Sequence, residues 1–186
     1  MKFRLHLLIL PLFVGQVSAI ARADSPNLSP NAGFEVSNVN SGGFLYSGDV
    51  EAPNWVFVDG SGIANHSGAW GGEALYSAVA FLQYQGAADA SLTQIITSSA
   101  SSFEISFDVA QRGSYGIGAI DVYWDNKIIL QGFVPATASF ERLVLPVDGL
   151  PGIIHTLTFR AAPNAQNQEG TAVFVDNVSI EESVAP

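Results

Sequence analysis

The amino-acid sequence predicts an all-β fold, a jelly-roll sandwich of two antiparallel sheets. Three observations support this prediction. No stretch shows the sustained three-to-four-residue apolar repeat of an amphipathic helix. Short segments with strand character recur along the chain, and Gly, Pro and Asn separate them. Their number suits one large sandwich better than two small domains.

The chain begins with a predicted secretory signal peptide, residues 1–23. Lys2 and Arg4 lie just before an apolar run over residues 5–14, and the tripeptide ARA at 21–23 suits a cleavage site. The run is too short for a membrane-spanning helix, and no later segment reaches the roughly 20 apolar residues that one needs. We therefore expect residues 24–186 to be one exported domain, extracellular or periplasmic.

The candidate strands that follow alternate between apolar and polar residues. In chain order they read GFEVSNV, NWVFV, EALYSAVAFLQ, SLTQIIT, FEISFDVAQR, AIDVYWDN, KIILQGFV, FERLVLPV, IIHTLTFRA and AVFVDNVSI. The fifth places Phe103, Ile105, Phe107 and Val109 on one face, and the sixth does the same with Ile120, Val122 and Trp124. We predict that both faces point into the core.

These two strands also predict a polar surface. If residues 113–118 join them as a hairpin, Asp108 lies opposite Tyr123. The outward face then carries acceptors around one exposed ring: Glu104, Ser106, Asp108, Asp121, Tyr123 and Asp125. Such a row suits sugar binding, because a ring stacks on a pyranose while carboxylates accept hydrogen bonds from its hydroxyls. The alternative is a solvated sheet face whose charges discourage edge pairing.

Charge and cysteine content exclude several kinds of partner and site. Of seven basic residues, three leave with the leader, so four basic residues remain against 17 acidic ones, a net charge of −13. Such a surface repels phosphate backbones, and nucleic acid is not expected as a partner. The chain has no cysteine, so disulfides and thiolate metal sites are excluded.

The residues do not favour an enzyme. Glu104 and Asp108 lie about 13 Å apart along a strand, beyond the ~5 to 9.5 Å of glycosidase carboxyl pairs. A carboxyl pair across two strands is still possible, but nothing in the sequence marks one carboxyl group as buried enough to have a raised pKa. The mature chain contains neither G-x-S-x-G nor H-E-x-x-H. His155 shares an apolar strand face with Leu157 and Phe159, which indicates a core histidine.

A long Gly-rich segment, residues 58–72, is predicted to be a loop carrying His66 and Trp70. Aromatic loops of this length often lie over binding sites, although Trp70 tucked inward would merely cap the sandwich. The segment does not complete a twelve-residue calcium loop.

The last strand carries Asp176 among apolar residues. Period-2 alternation places it on the face of Ala172, Phe174, Val178 and Ile180, where an isolated carboxylate is costly. One explanation is a β-bulge at residues 176–177 that turns the carboxylate outward, or a hydrogen bond to a neighbouring turn. The other is a structural Ca²⁺, with Glu35, just after a Gly-containing turn near the mature N-terminus, as second ligand.

The ordered succession SPNAGFEVSNV, PNWVF, GSGIA, VAFLQ, LTQIIT, FEISFDVAQR and FVDNVSI resembles the galactose-binding-like β-sandwich domains. Bacterial carbohydrate-binding modules belong to this group, as does the plant cell-wall domain family that associates with pectin or cellulose. The resemblance spans nearly the whole mature chain. It implies a jelly roll with a structural calcium held at positions matching Glu35 and Asp176.

The resemblance also implies where a glycan binds, either on the concave sheet face or in loops at one end of the sandwich. On the sheet the candidates are Tyr123 and Asp108. Near the loops they are Trp70, Tyr115, Arg112 and Gln83. The leading hypothesis is a secreted, calcium-stabilised, non-catalytic module that binds a cell-wall or extracellular polysaccharide. The alternative is a structural or adhesive matrix protein without a specific sugar site.

Overall fold

The structure is a computed structural model, and it describes residues 25–65, 70, 77–84, 86, 90–113, 115–148, 154–163 and 170–183. The signal-peptide prediction and His66 lie outside these ranges. Within them the regular elements are strands: β1 (Phe44–Tyr46), β2 (Trp55–Val58), β3 (Ser61–Asn65), β4 (Ala78–Gln83), β5 (Ser91–Thr97), β6 (Ser102–Gln111), β7 (Ala119–Trp124), β8 (Lys127–Phe133), β9 (Glu141–Asp148), β10 (Ile154–Ala162) and β11 (Ala172–Glu182). In the same ranges, nothing helical is long and apolar enough to cross a bilayer.

The strands form two antiparallel sheets. The six-stranded sheet has the order β1-β3-β4-β11-β6-β9, and the five-stranded sheet has the order β2-β5-β10-β7-β8. Chain neighbours such as β5 and β6 therefore lie in different sheets, as expected of a jelly roll. The predicted all-β sandwich is confirmed.

The core lies between the inner faces of the two sheets. The residues of β6 and β7 that were predicted to point inward are all buried there: Phe103, Ile105, Phe107, Val109, Ile120, Val122 and Trp124. Phe107 meets Phe159 of β10 edge to face, with ring centroids 4.9 Å apart. His155 is also buried, as predicted, and its Nδ1 lies 2.8 Å from Asp125 Oδ2. Alternation thus identified the core correctly.

The predicted hairpin between β6 and β7 is wrong. β6 pairs with β11 and β9 in one sheet, whereas β7 pairs with β10 and β8 in the other. The connection crosses from sheet to sheet, and the Gln111 side chain holds it by bonding both the N–H and the C=O of Gly118 at 2.8 Å. Because both sheets have the same period-2 alternation, the residue pattern does not distinguish a hairpin from a crossover.

The N-terminal part differs from the predicted strands in two places. The segment GFEVSNV is not a strand but a run of turns and bends. Residues 61–65 of the predicted Gly-rich loop are instead β3, which pairs with both β1 and β4. Gly62 allows this packing, because a Cβ there would lie 2.6 Å from the Phe81 ring and collide with the Leu45 carbonyl.

β11 contains an irregularity between Asp176 and Ser179, with Asn177 at a φ of 47°. The bulge puts Asp176 on the outer face of the six-stranded sheet with Phe174, and turns Val178 and Ile180 into the core. The prediction that these four residues share one face is therefore wrong. The bulge also bends β11 towards the N-terminal segment, where Val178 N–H donates to Ala32 O at 3.0 Å.

Candidate functional site

Strand ends and loops gather a polar and aromatic group at one margin of the six-stranded sheet, which we call the loop-end cluster: Tyr46, Trp70, Gln83, Arg112 and Tyr115. Tyr46 and Gln83 close β1 and β4, and Arg112 directly follows β6. The backbone of Arg112 is fixed because its backbone N–H donates to Ala172 O at 3.0 Å. Four of these five residues are sequence candidates, so the fold brings most of the predicted loop site together.

The centre of the cluster is a stack of three rings and one guanidinium. Trp70 lies flat on Phe81, with centroids 3.9 Å apart and planes 22° apart. The guanidinium carbon of Arg112 lies 4.1 Å from the Trp70 ring centre and 3.7 Å from that of Tyr115. A cation between two aromatic faces is attracted by both ring quadrupoles, which fixes the position of Tyr115 over the sheet.

Exposure along the stack rises from the sheet outwards. Trp70 is 2% exposed, Arg112 is 9% exposed and Tyr115 is 54% exposed. Trp70 is therefore a buried support and not a binding surface by itself. Tyr115 presents an aromatic ring to solvent with its inner face already occupied by Arg112. Phe44, 40% exposed, meets Trp70 edge to face beside it.

Polar groups adjoin the stack. Tyr46 donates its hydroxyl proton to Gln83 Oε1 at 2.9 Å, and Gln83 Nε2 donates to Gly170 O at 3.2 Å. Burial raises the pKa of Tyr46, and the neighbouring Arg112 charge partly opposes that rise. The Tyr46 hydroxyl therefore stays protonated at neutral pH. Sequence reasoning missed Tyr46; the alternation of Phe44 and Tyr46 after two glycines was the available signal.

The sheet-face site predicted from Tyr123 and Asp108 does not exist as one surface. Tyr123 lies on the outer face of the five-stranded sheet, and Asp108 lies on the outer face of the six-stranded sheet. The crossover after β6 separates them across the whole sandwich. Asp108 instead accepts from Arg142 Nη1 at 3.1 Å and from Asn177 Nδ2 at 2.9 Å. It belongs to the network that holds the bulge in β11.

Glu35 and Asp176 are brought together, with Gly33 between them. A Cβ on Gly33 would lie 3.6 Å from Asp176 Oδ1 and 3.8 Å from Glu35 Cγ. Asp176 is 6% exposed and accepts from the Asn177 N–H at 2.7 Å. The pKa of Asp176 is raised to about 7, chiefly by burial; the Asn177 hydrogen bond lowers it, the Glu35 and Asp108 charges add to the rise, and the Arg142 charge opposes it.

The oxygen ligands available at Glu35 and Asp176 are of the kind that a hard cation prefers, but there are only two carboxylates among them. In the described ranges no three acidic or histidine side chains lie close enough together to hold a metal. Glu35 and Asp176 would supply two carboxylates, and amide or backbone oxygens would have to complete the shell. A cation at this position would supply positive charge to the buried Asp176 carboxyl group, whose pKa is raised.

Several solved structures have a fold similar to that of this chain. No protein-family model matches the sequence, and neither does any curated protein. The CBM22-1 xylan-binding domain of Paenibacillus barcinonensis Xyn10C matches 89% of this chain over all of its own length, with a TM-score of 0.55 and 11% identity. The chain shares the two-sheet β-sandwich fold of this domain. At this identity the match establishes the fold alone.

Two further structures show how widely this sandwich occurs. TmCBM61, solved with β-1,4-galactotriose, matches 86% of this chain and 100% of its own, with a TM-score of 0.50 and 13% identity. An arabinose-bound α-L-arabinofuranosidase, MgGH51, matches 85% of this chain with a TM-score of 0.53 and 11% identity. The present chain spans only 26% of that enzyme's length. The sandwich thus resembles both an isolated module and one part of a larger enzyme.

Proposed function

We propose that this chain is a secreted, non-catalytic carbohydrate-binding module that recognises a cell-wall or extracellular polysaccharide through the loop-end cluster. The observation that carries the proposal is the stack of Phe81, Trp70, Arg112 and Tyr115, which ends in an exposed tyrosine ring. The fold shared with the xylan-binding domain and the galactotriose-bound module supports it.

The stack suits a sugar because it presents a ring that is already ordered. Tyrosine has few rotatable bonds, and Arg112 holds Tyr115 from behind, so little side-chain entropy remains to be lost on binding. The outer ring face can pack on the apolar face of a pyranose. Tyr46 and Gln83 add hydrogen-bonding groups for sugar hydroxyls beside the ring.

The composition of the cluster supports binding without catalysis. Its five residues include no carboxylate and no histidine, whereas glycosidases use a pair of carboxyl groups at the scissile bond. Asp108 and Asp176 lie instead in the network around the β11 bulge. Product release from chromogenic glycosides by the purified protein would contradict this part of the proposal.

A structural Ca²⁺ held by Glu35 and Asp176 is the second part of the proposal. Bound there, the ion would supply positive charge to a buried carboxylate and tie β11 to the N-terminal segment. Ligation at 100 times Kd stabilises a native protein by about 2.7 kcal/mol. We expect EDTA to lower the melting temperature of the wild type but not of Asp176→Ala. Equal sensitivity of both proteins to EDTA would refute this site.

Isothermal titration against soluble xylan, mannan, cellulose, pectin and β-1,4-galactan oligosaccharides tests the binding. We expect heat with at least one of these glycans and at least a tenfold weaker Kd, about 1.4 kcal/mol, for Tyr115→Ala. For the neutral glycans of this panel, the control is Tyr123→Ala, which removes the same side chain from the opposite face. No heat with any glycan, or equal loss in both variants, would contradict a site at the loop-end cluster.

A further inference from the structure

The outer face of the five-stranded sheet carries a second group of side chains suited to a ligand. A depression there is lined by hydroxyl groups, one tyrosine and one arginine: Ser91, Thr93, Thr156, Thr158, Tyr123, Arg160, together with Asn126. We call this surface the hydroxyl face. It lies on the side of the sandwich away from the loop-end cluster, and neither the comparisons nor the proposed function uses it.

Strand register orders the hydroxyl face into rows. Thr93, Thr158 and Tyr123 are direct cross-strand partners in β5, β10 and β7. Ser91 and Asp121 flank Arg160 in the next row. The Thr93 and Thr158 hydroxyl oxygens lie 2.9 Å apart. Arg160 therefore lies in the centre of the sheet, between hydroxyl groups and an aromatic ring.

Within the described part of the chain, Arg160 forms no ion pair. Its guanidinium carbon lies 5.2 Å from the centre of the Tyr123 ring. Its buried Nε has no hydrogen-bond partner, and no salt bridge joins it to any residue of the described ranges. Asp121, directly opposite in register, has both carboxylate oxygens engaged elsewhere: Oδ1 accepts from Gly132 N–H at 2.6 Å, and Oδ2 accepts from the Tyr123 hydroxyl at 3.5 Å.

An unneutralised guanidinium is notable in a chain with 17 acidic and seven basic residues. Its planar fork binds a carboxylate through two parallel hydrogen bonds. The uncharged hydroxymethyl group of a neutral hexose cannot form this charged pair. The neighbouring hydroxyl groups match the hydroxyls of a sugar, and the Tyr123 ring offers a stacking face. These are the elements that a carboxylated sugar requires.

We propose that the hydroxyl face binds a hexuronic acid residue of a glycan, with Arg160 receiving the carboxylate and Tyr123 packing against the pyranose. The inference rests on the proposed function only in taking a glycan as ligand, because it uses a different face. It predicts two separable sites, one for neutral sugar at the loop-end cluster and one for acidic sugar here.

Titration with trimers of glucuronic, galacturonic and mannuronic acid, each compared with its methyl ester, tests this site. The ester removes the negative charge and keeps the rest of the sugar. We expect at least one acid trimer to bind at least tenfold more tightly than its ester. Arg160→Gln should abolish that preference, and Arg160→Lys should restore part of it. Lys127→Gln, which removes a nearby cation outside the depression, is the control, and thermal melts verify folding.

The outcomes separate this inference from the proposed function. If no acid trimer binds better than its ester, or if Arg160→Gln keeps the preference, the uronate site is refuted. If Tyr115→Ala removes acidic and neutral binding alike, the acidic sugar lies at the loop-end cluster and the inference is again overturned. Neutral binding that depends on Tyr115 would leave the proposed function standing in either case.

Discussion

Replacing Asp176 with asparagine tests how the buried carboxyl group contributes to stability. The side chain keeps its shape, and its Oδ1 can still accept the hydrogen bond that the Asn177 N–H donates at 2.7 Å. What the substitution removes is the titration. In the wild-type fold, burial raises the pKa from 3.8 to about 7, with Glu35 and Asp108 acting in the same direction.

The sign of the effect follows from proton linkage. Between pH 3.8 and pH 7 the folded protein keeps a proton that the unfolded chain releases, so the free energy of unfolding falls as pH rises. At 1.36 kcal/mol per pKa unit, the full loss approaches about 4 kcal/mol. Between pH 5 and pH 7 the same relation gives a loss of about 2 kcal/mol.

Urea denaturation in EDTA at pH 5 and pH 7 measures this difference. Other carboxyl groups titrate in both proteins, so the informative quantity is the pH-dependent loss in the wild type minus the loss in Asp176→Asn. We expect about 2 kcal/mol. Saturating Ca²⁺ should remove most of it, because ligation favours the ionised carboxylate at pH 7. An identical pH dependence in the two proteins without metal would refute the reasoning.

Substitutions at Gly62 and Arg142, with Gly113→Ala as the control for the first, test the packing of the six-stranded sheet. Gly62→Ala should cost more than about 3 kcal/mol in urea denaturation, because the added methyl group collides with the Leu45 carbonyl. Gly113→Ala, whose Cβ meets nothing nearer than 3.7 Å, should stay within about 0.5 kcal/mol of the wild type; equal losses would contradict the argument. Arg142→Met removes donors to Asp108, Ser106 and the Asn177 carbonyl, and should cost about 1 kcal/mol. It should also steepen the fall of stability with pH, since the Arg142 charge lowers the pKa of Asp176; an unchanged pH dependence would count against that electrostatic link.

The sequence predicted correctly those features that depend on a single strand, such as which of its residues are buried. Alternation in β6 and β7 identified Phe107 and Trp124 as core residues, because period-2 geometry acts within a single strand. The same rule raised the question of Asp176; the bulge considered as one explanation is present, but the carboxyl group remains buried at 6% exposure. The fold class followed from the number and spacing of such strands.

The sequence did not predict features that depend on contacts between distant segments, such as strand pairing. Whether β6 and β7 pair or cross between sheets depends on packing partners elsewhere, so Asp108 and Tyr123 were wrongly placed together. Arg160 was overlooked because its environment exists only after β5, β7 and β10 align. Tyr46 was overlooked for a similar reason, since the short strand β1 is stabilised by its pairing with β3.

The indole N–H signals of the three tryptophans in a ¹H–¹⁵N spectrum test the central claim most directly. Trp55 donates to Asn31 O at 3.1 Å, and Trp124 is buried in the core, so both are remote from the loop-end cluster. Adding a neutral oligosaccharide that binds in calorimetry should shift the Trp70 signal alone. Binding that leaves the Trp70 signal unmoved would contradict a glycan site built on Trp70, Arg112 and Tyr115.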